Sequence, residues 1–149
     1  MDDLRQDPWQ PARGRPIPPL VLIVEDEEIL AEAMSVYLER HAYVTMVAHA
    51  GEDGVRMAEG IRPDVAVVDM RLPGIDGLEV LRRLREVSPG TEVIMATAHP
   101  SRATAQEALT LGAFDYLNKP VDLEALRLAV DEALVLAVRR QRPSCGGPP

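Results

Sequence analysis

Five short apolar runs alternate along the chain with segments whose apolar residues recur at helical spacing. Runs this short and this uniformly apolar are typical of strands that are buried on both faces of a parallel sheet. Regular alternation of strand and helix requires parallel strands, right-handed crossovers and helices on both faces of the sheet. The pattern therefore predicts an α/β fold, a doubly wound five-stranded parallel sheet with five helices. The predicted strands are residues 20–24, 44–48, 65–69, 92–97 and 115–118.

The segments between these runs carry the signals of helices. Apolar spacing predicts a first helix over residues 29–38 and a short second helix over residues 55–61. A third helix is expected to begin after Asp76, where Glu79 completes a capping-box pattern three residues later. The other two helices are expected over residues 102–111, closed by Gly112, and from the capping residue Asp122 onward.

Length and composition indicate one globular domain with two tails. A chain of 149 residues suits a single domain large enough to bury its own core. Residues 1–19 hold five of the 13 prolines, and this composition predicts a disordered arm. Residues 139–149 are basic and then rich in glycine and proline, which predicts a flexible tail. The domain itself is therefore expected over residues 20–138.

The charge and the cysteine content narrow the classes of function. The chain has 24 acidic residues against 16 lysines and arginines, a net charge of -8, so general affinity for DNA, RNA or anionic lipid is not expected. Its longest apolar run is far shorter than the roughly 20 residues that cross a bilayer. The one cysteine, Cys145, has no intramolecular partner. A reducing, cytoplasmic location is the resulting prediction.

Polar side chains end or follow four of the predicted strands. Glu25 and Asp26 follow the first, Asp69 ends the third, Thr97 ends the fourth and Lys119 follows the fifth. A doubly wound sheet carries its site outside the carboxyl ends of its strands, so these side chains are expected to converge. Taken singly, each has an ordinary structural explanation, such as a helix cap at Asp26 or a solvated loop at Lys119. Their joint arrangement favours a functional site.

The residue types at this edge predict phosphoryl chemistry. Each pair of carboxylates repels by about 4 kcal/mol at a separation of ~4 Å and an effective dielectric of roughly 20, so a divalent cation or a lysine must offset three of them. Oxygen ligands without histidine or cysteine favour Mg²⁺ or Mn²⁺ over zinc. Lys119 and Thr97 then offer a positive charge and a hydroxyl donor to phosphoryl oxygens. Asp69, on the central strand, is the natural nucleophile.

Four blocks of sequence carry a family resemblance. They are VEDE at residues 24–27, VDMRLPGIDG at 68–77, ATA at 96–98 and GAFDYLNKP at 112–120. In this order and spacing they resemble the receiver domain of bacterial response regulators, within the CheY-like superfamily, and the third block is most similar to receivers of the NtrC type. The resemblance covers essentially all of residues 20–138. It implies a flavodoxin-like sheet with the strand order 2-1-3-4-5.

The resemblance also implies which residues bind the metal. Asp69 is the implied phosphoacceptor, and Asp26 and Asp69 would coordinate Mg²⁺ (or Mn²⁺) directly. The backbone carbonyl of Arg71 would complete the protein ligands, whereas Glu25 would act mainly through water. Glu25 stands where aspartate is commoner in the family, which lengthens one ligand arm.

Further residues are implied to respond to the phosphoryl group. Lys119 would contact the group, before a cis peptide bond to Pro120. Thr97 would bind it as well and form a conformational switch pair with Tyr116. Arg71 and His99 each follow a site residue by two positions and are expected at the rim of the site.

The implied function is a phosphorylation-controlled switch in a two-component system, not an enzyme with a substrate of its own. The phosphoryl donor would be a histidine kinase or a histidine phosphotransfer protein. The surface of the fourth helix, fifth strand and last helix would respond to phosphorylation. The first and last helices are the surface expected for any homodimer, and no direct contact with nucleic acid or membrane is expected.

Two other functions stay open at this point. One is a docking module that works without phosphorylation, although the intact set of site residues argues against it. The other is an aspartate-nucleophile phosphatase, which requires a second acid where this chain has Arg71. It also stays open whether the chain is a complete single-domain regulator or the receiver of a longer protein.

Overall fold

The computed structural model describes residues 18–98 and 101–140, in which five strands alternate with five helices. The strands are β1 (Leu20–Val24), β2 (Val44–Ala48), β3 (Val65–Asp69), β4 (Glu92–Thr97) and β5 (Asp115–Asn118). The helices are α1 (Glu28–Glu39), α2 (Gly51–Ile61), α3 (Gly77–Val87), α4 (Arg102–Thr110) and α5 (Leu123–Arg140). All five strands have the predicted bounds.

Three helices are longer than the sequence pattern predicted, and α1 is longer by only one residue at each end. Helix α2 begins at Gly51 rather than near Val55, because its first turn holds two acids that suit a helix N-terminus but carry no apolar periodicity. Helix α5 continues to Arg140, past the expected domain end at residue 138. Residues 1–17 of the predicted arm and residues 141–149 of the predicted tail lie outside the described residues.

The sheet is parallel throughout, with the strand order β2-β1-β3-β4-β5. This confirms the predicted doubly wound fold and its strand order. Strand β3 is central, and its register pairs Asp69 with Ala96 of β4. Thr97 of β4 pairs in turn with Asn118 of β5. The register therefore brings the carboxyl ends of β3, β4 and β5 to one edge of the sheet.

A hydrophobic core lies on each face of the sheet. On one face, inward residues such as Ile23 and Val67 pack against α1 and α5. On the other face, their neighbours Val24 and Val68 pack against α2, α3 and α4. Side chains alternate between the faces of a strand, so a strand buried on both faces must be apolar at every position. Each fully buried valine or leucine stabilises the fold by about 1.5–3 kcal/mol, which holds the strands in place.

Side-chain caps fix where three helices begin. The carboxylate of Asp76 accepts the backbone N–H of Glu79 at 3.0 Å, as the capping pattern predicted. Glu79 itself accepts bonds from two arginines of α3, Arg82 and Arg83, at 2.6 and 3.0 Å. Ser101 caps α4, and Asp122 accepts the N–H of Glu124 at the start of α5.

In the described parts of the chain, none of the helices has the length and apolar character that a membrane span requires.

Charged and phenolic side chains join α5 to α1 and to Tyr43, the residue before β2. The Tyr37 hydroxyl donates to Glu124, and Arg127 pairs with both Glu124 and Asp131. The hydrogen bonds from Arg127 and Tyr37 lower the pKa of Glu124 to about 2. The Tyr43 hydroxyl donates to Asp131. These hydrogen bonds and ion pairs occupy part of the α1–α5 flank that was expected to carry any homodimer contact.

Candidate functional site

The fold brings the predicted acids together at the carboxyl edge of the sheet. Glu25, Asp26 and Asp69 each offer one carboxylate oxygen, and these oxygens all lie within 4.8 Å of one another. Among the described residues this is the one acidic or metal-ligand cluster of its kind. Glu25 and Asp69 are buried, whereas Asp26 is exposed. One side of the cluster is therefore closed by protein, and the other is open to solvent.

Lys119 extends into this cluster from the loop after β5. Its Nζ lies 3.0 Å from Glu25 Oε1 and 3.2 Å from Asp69 Oδ2. The exposed carboxylate of Glu27 lies farther away, at 3.8 Å. Burial of the ammonium group lowers the pKa of Lys119, but the hydrogen bond that it donates to Glu25 and the charge of Asp69 outweigh this effect, so the pKa is raised above its ordinary value. Lys119 therefore stays charged beside Asp69.

The position of Lys119 is fixed by its backbone. Its N–H donates to the Thr97 carbonyl at 2.7 Å, which ties the loop to the end of β4. The peptide bond to Pro120 is cis, as the resemblance implied. The side chain is thus aimed at the carboxylates from a strand end that is two positions away from β3 in the sheet.

The backbone and the carboxylate of Glu25 make hydrogen bonds that the sequence did not predict. Its backbone N–H donates to the Ala48 carbonyl at 3.0 Å, and its carboxylate accepts the N–H of Glu27 at 3.2 Å. A ring nitrogen of His49 lies 2.9 Å from its carbonyl oxygen. Burial, followed by repulsion from Asp69, raises the pKa of the Glu25 carboxyl, while Lys119 acts in the opposite direction. Sequence reasoning missed Glu27 and His49, although each follows a strand of the site edge within three residues.

The loop from β3 to α3 (residues 70–76) is hydrogen-bonded to Asp69 and to the neighbouring strand β4. The Met70 N–H donates to Ala96 at 2.8 Å, and the Gly77 N–H donates back to the Met70 carbonyl at 2.9 Å. The N–H of Arg71 donates to Asp69 Oδ1 at 3.2 Å, whereas Oδ2 faces Lys119. The two oxygens of Asp69 are thus directed to different partners. The side chain of Arg71 is exposed at the rim.

The proposed switch residues border one small internal pocket beneath α4. Thr97 is buried at the end of β4, and Tyr116 is half-buried in β5. Both line this pocket, together with Thr104 and Ala105 of α4. The two side chains are therefore linked through the packing of α4. His99, expected at the rim, lies outside the described residues.

The residues present fit a hard divalent cation. The cluster supplies carboxylate oxygens alone, and its exposed side leaves room for water ligands. Oxygen donors with open positions are what Mg²⁺ requires, because it keeps several of its waters. Asp26, Asp69 and the backbone carbonyl of Arg71 are the groups that would hold it, with Glu25 beside them.

Comparison with known proteins identifies the family of this doubly wound sheet with an acidic edge and an inserted lysine. The response regulator receiver domain family matches residues 21–131. The chain is 40% identical to a cyclic di-GMP phosphodiesterase of Thermotoga maritima over 76% of this chain and 30% of that protein. It is 39% identical to the regulatory protein AtoC of Escherichia coli over 78% of this chain and 25% of that protein.

A solved structure agrees with this assignment. A CheY-like response regulator receiver domain protein from Methanospirillum hungatei superposes with a TM-score of 0.78 at 27% identity, over 82% of this chain and 98% of that one. The chain belongs to the response regulator receiver domain family of two-component systems. The predicted resemblance, including that to NtrC-type receivers, is confirmed. The chain spans only 30% and 25% of the two curated relatives named above.

Proposed function

We propose that this receiver domain is a switch controlled by transfer of a phosphoryl group to Asp69. The donor is a phosphohistidine of a histidine kinase or of a histidine phosphotransfer protein. The observation that carries the proposal is the approach of Lys119 Nζ to Asp69 Oδ2, at 3.2 Å, within a cluster of three carboxylates. The single cysteine, Cys145, supports a cytoplasmic location for the reaction.

The chemistry follows from how the carboxylate of Asp69 is held. An oxygen of Asp69 forms a bond to phosphorus as the phosphorus–nitrogen bond of the donor breaks, and the departing imidazole takes up a proton. Arg71 N–H orients one oxygen of the acceptor, and Lys119 offers its charge to the phosphoryl oxygens. Thr97, at the end of β4, offers its hydroxyl to the product. Mg²⁺ or Mn²⁺ would supply further positive charge to the phosphoryl oxygens when bound.

The metal roles predict unequal effects of two substitutions. Asp26→Ala is expected to weaken Mg²⁺ binding by roughly tenfold or more, since it removes a direct ligand. Glu25→Gln is expected to weaken it less, because the Glu25 carboxylate contacts Lys119 with both oxygens, at 3.0 and 3.2 Å. Titration calorimetry with Mg²⁺ measures both, and Glu28→Gln, an exposed acid in the first turn of α1, is the matched charge control. Equal losses at the two site acids would show that they share the ion directly.

Phosphorylation is proposed to act on the α4–β5–α5 surface through Thr97 and Tyr116. New phosphoryl oxygens draw the Thr97 hydroxyl inward, and Tyr116 changes its position in response, because both side chains border the same small space beneath α4. A partner that prefers one of the two arrangements then reads the state of Asp69. The partner, whether a separate protein or a linked output domain, is part of the proposal, because the relatives are much longer than this chain.

This coupling predicts a response far from the acid cluster. With beryllofluoride, an acyl-phosphate mimic, and Mg²⁺, amide NMR shifts are expected at Ala103, Glu107 and Tyr116 as well as at the site. Beryllofluoride without Mg²⁺ is the control and should leave the spectrum unchanged. Shifts confined to the site loops, with residues 103–119 silent, would contradict the switch and leave a phosphate sink.

A further inference from the structure

One carboxylate outside the acid cluster is bonded to the backbone of the β3–α3 loop. Glu52 lies in the first turn of α2, and its Oε2 accepts the N–H of Ile75 at 3.3 Å. The other hydrogen bonds at the two ends of the loop come from residues next to it in sequence, or from Ala96 of the neighbouring strand. Glu52 instead reaches the end of the loop next to α3 from a different helix.

The fit between Glu52 and the loop depends on Gly74. Gly74 has a φ of +79°, a conformation that side-chain-bearing residues rarely adopt. A Cβ placed there would lie 2.7 and 2.8 Å from the two carboxylate oxygens of Glu52. The carboxylate therefore fills the space that the missing side chain leaves. The turn and the acid are complementary in shape as well as in hydrogen bonding.

Gly51, the residue before Glu52, allows the start of α2 to pack closely against the same loop. Gly51 is buried, and a Cβ placed there would lie 2.7 Å from Ile75 Cγ1 and 2.9 Å from the Ile75 carbonyl oxygen. The backbone of α2 therefore approaches Ile75 as closely as packing allows. Glu52 adds a charge-assisted hydrogen bond at this point of contact.

We infer that Glu52 is a positioning residue for the phosphorylation site. By holding Ile75, it fixes the shape of a loop whose other end presents the carbonyl of Arg71 and orients Asp69 through the Arg71 N–H. The inference rests on the proposed function, because it takes the shape of the loop to serve the phosphorylation of Asp69. Glu52 touches neither Asp69 nor the other acids, and acts through the loop alone.

Three variants separate the hydrogen bond from the charge. Glu52→Ala removes both, and Glu52→Gln keeps an acceptor for the Ile75 N–H without the charge. Asp53→Ala is the matched control, since it removes an exposed acid of the same helical turn that pairs with Arg56 and not with the loop. Glu52→Ala is expected to weaken Mg²⁺ binding by roughly two- to fivefold, the size of one hydrogen bond. Glu52→Gln should recover part of this loss, and Asp53→Ala should bind as the parent does.

A measurement without metal tests the same inference independently of phosphorylation. Amide hydrogen exchange of Ile75 in Mg²⁺-free protein is expected to be faster in Glu52→Ala than in the parent, and unchanged in Asp53→Ala. An exchange rate of Ile75 that is the same in all chains would overturn the inference. So would equal Mg²⁺ affinities of Glu52→Ala and Asp53→Ala, or a Glu52→Gln chain no better than Glu52→Ala. If the parent binds no Mg²⁺, the proposed function fails, and the exchange result still decides whether Glu52 holds the loop.

Discussion

The Asp69→Asn chain is expected to gain no phosphoryl group under conditions in which the parent gains one. Asparagine keeps the shape of the side chain but has no ionised oxygen that can attack phosphorus. It also removes the charge next to Lys119 Nζ and one of the three carboxylates of the cluster. The protein is incubated with acetyl phosphate or phosphoramidate and Mg²⁺, and its intact mass is then measured. A chelator that removes Mg²⁺ should abolish the gain in the parent as well.

The same experiment distinguishes the three functions that the sequence leaves open. A stable gain of mass is the result expected of a receiver. Steady consumption of the donor without a lasting gain would indicate a phosphatase, and no reaction at all would indicate a docking module. Asp53→Asn is the control for general loss of an acid, because Asp53 is exposed and pairs only with its own helix neighbour Arg56 in the described structure. An Asp69→Asn chain that still gains a phosphoryl group would refute the assignment.

The strands and the site edge could be predicted because both depend on local sequence. A strand that is buried on both faces must be apolar at every position, so its ends are marked by the first polar residue. Asp69 and Thr97 are such residues, and each is the last residue of its strand. Parallel strands place these ends side by side. The convergence of the acids therefore required only the order of strands and helices along the chain.

The contacts between elements could not be predicted in this way. The sequence placed Glu25 and Lys119 at one edge of the sheet but did not predict that their side chains pair at 3.0 Å, and it gave no sign of the bond from Glu52 to Ile75. Whether they meet depends on how closely α2 approaches the loop and on where the β5 loop turns. The start of α2 was missed for a related reason. Gly51 is required there by close packing and leaves no periodic signal.

Gly77 is such a packing position, and its replacement by alanine is expected to have the largest effect on stability. It begins α3, where alanine would normally be the better helix former by about 1 kcal/mol. A Cβ at this position would lie 2.3 Å from the Asp69 carbonyl oxygen and 2.6 Å from Met70 Cα. Both are backbone atoms, so the clash cannot be relieved by turning a side chain. The strain should therefore exceed the gain in helix propensity.

Gly77→Ala is expected to lower the free energy of unfolding by about 1–3 kcal/mol, the usual cost of overpacking. Because the strained atoms belong to Asp69 and Met70, the same change should also slow phosphorylation by acetyl phosphate. Gly60→Ala is the matched control, since a Cβ there would meet no atom within 4 Å. That change should raise the free energy of unfolding by about 0.5–1 kcal/mol and leave phosphorylation unchanged. Urea unfolding and the rate of mass gain measure both properties. Equal stability of the two variants would show that the loop after Asp69 can yield, and that its shape is not fixed by Gly77.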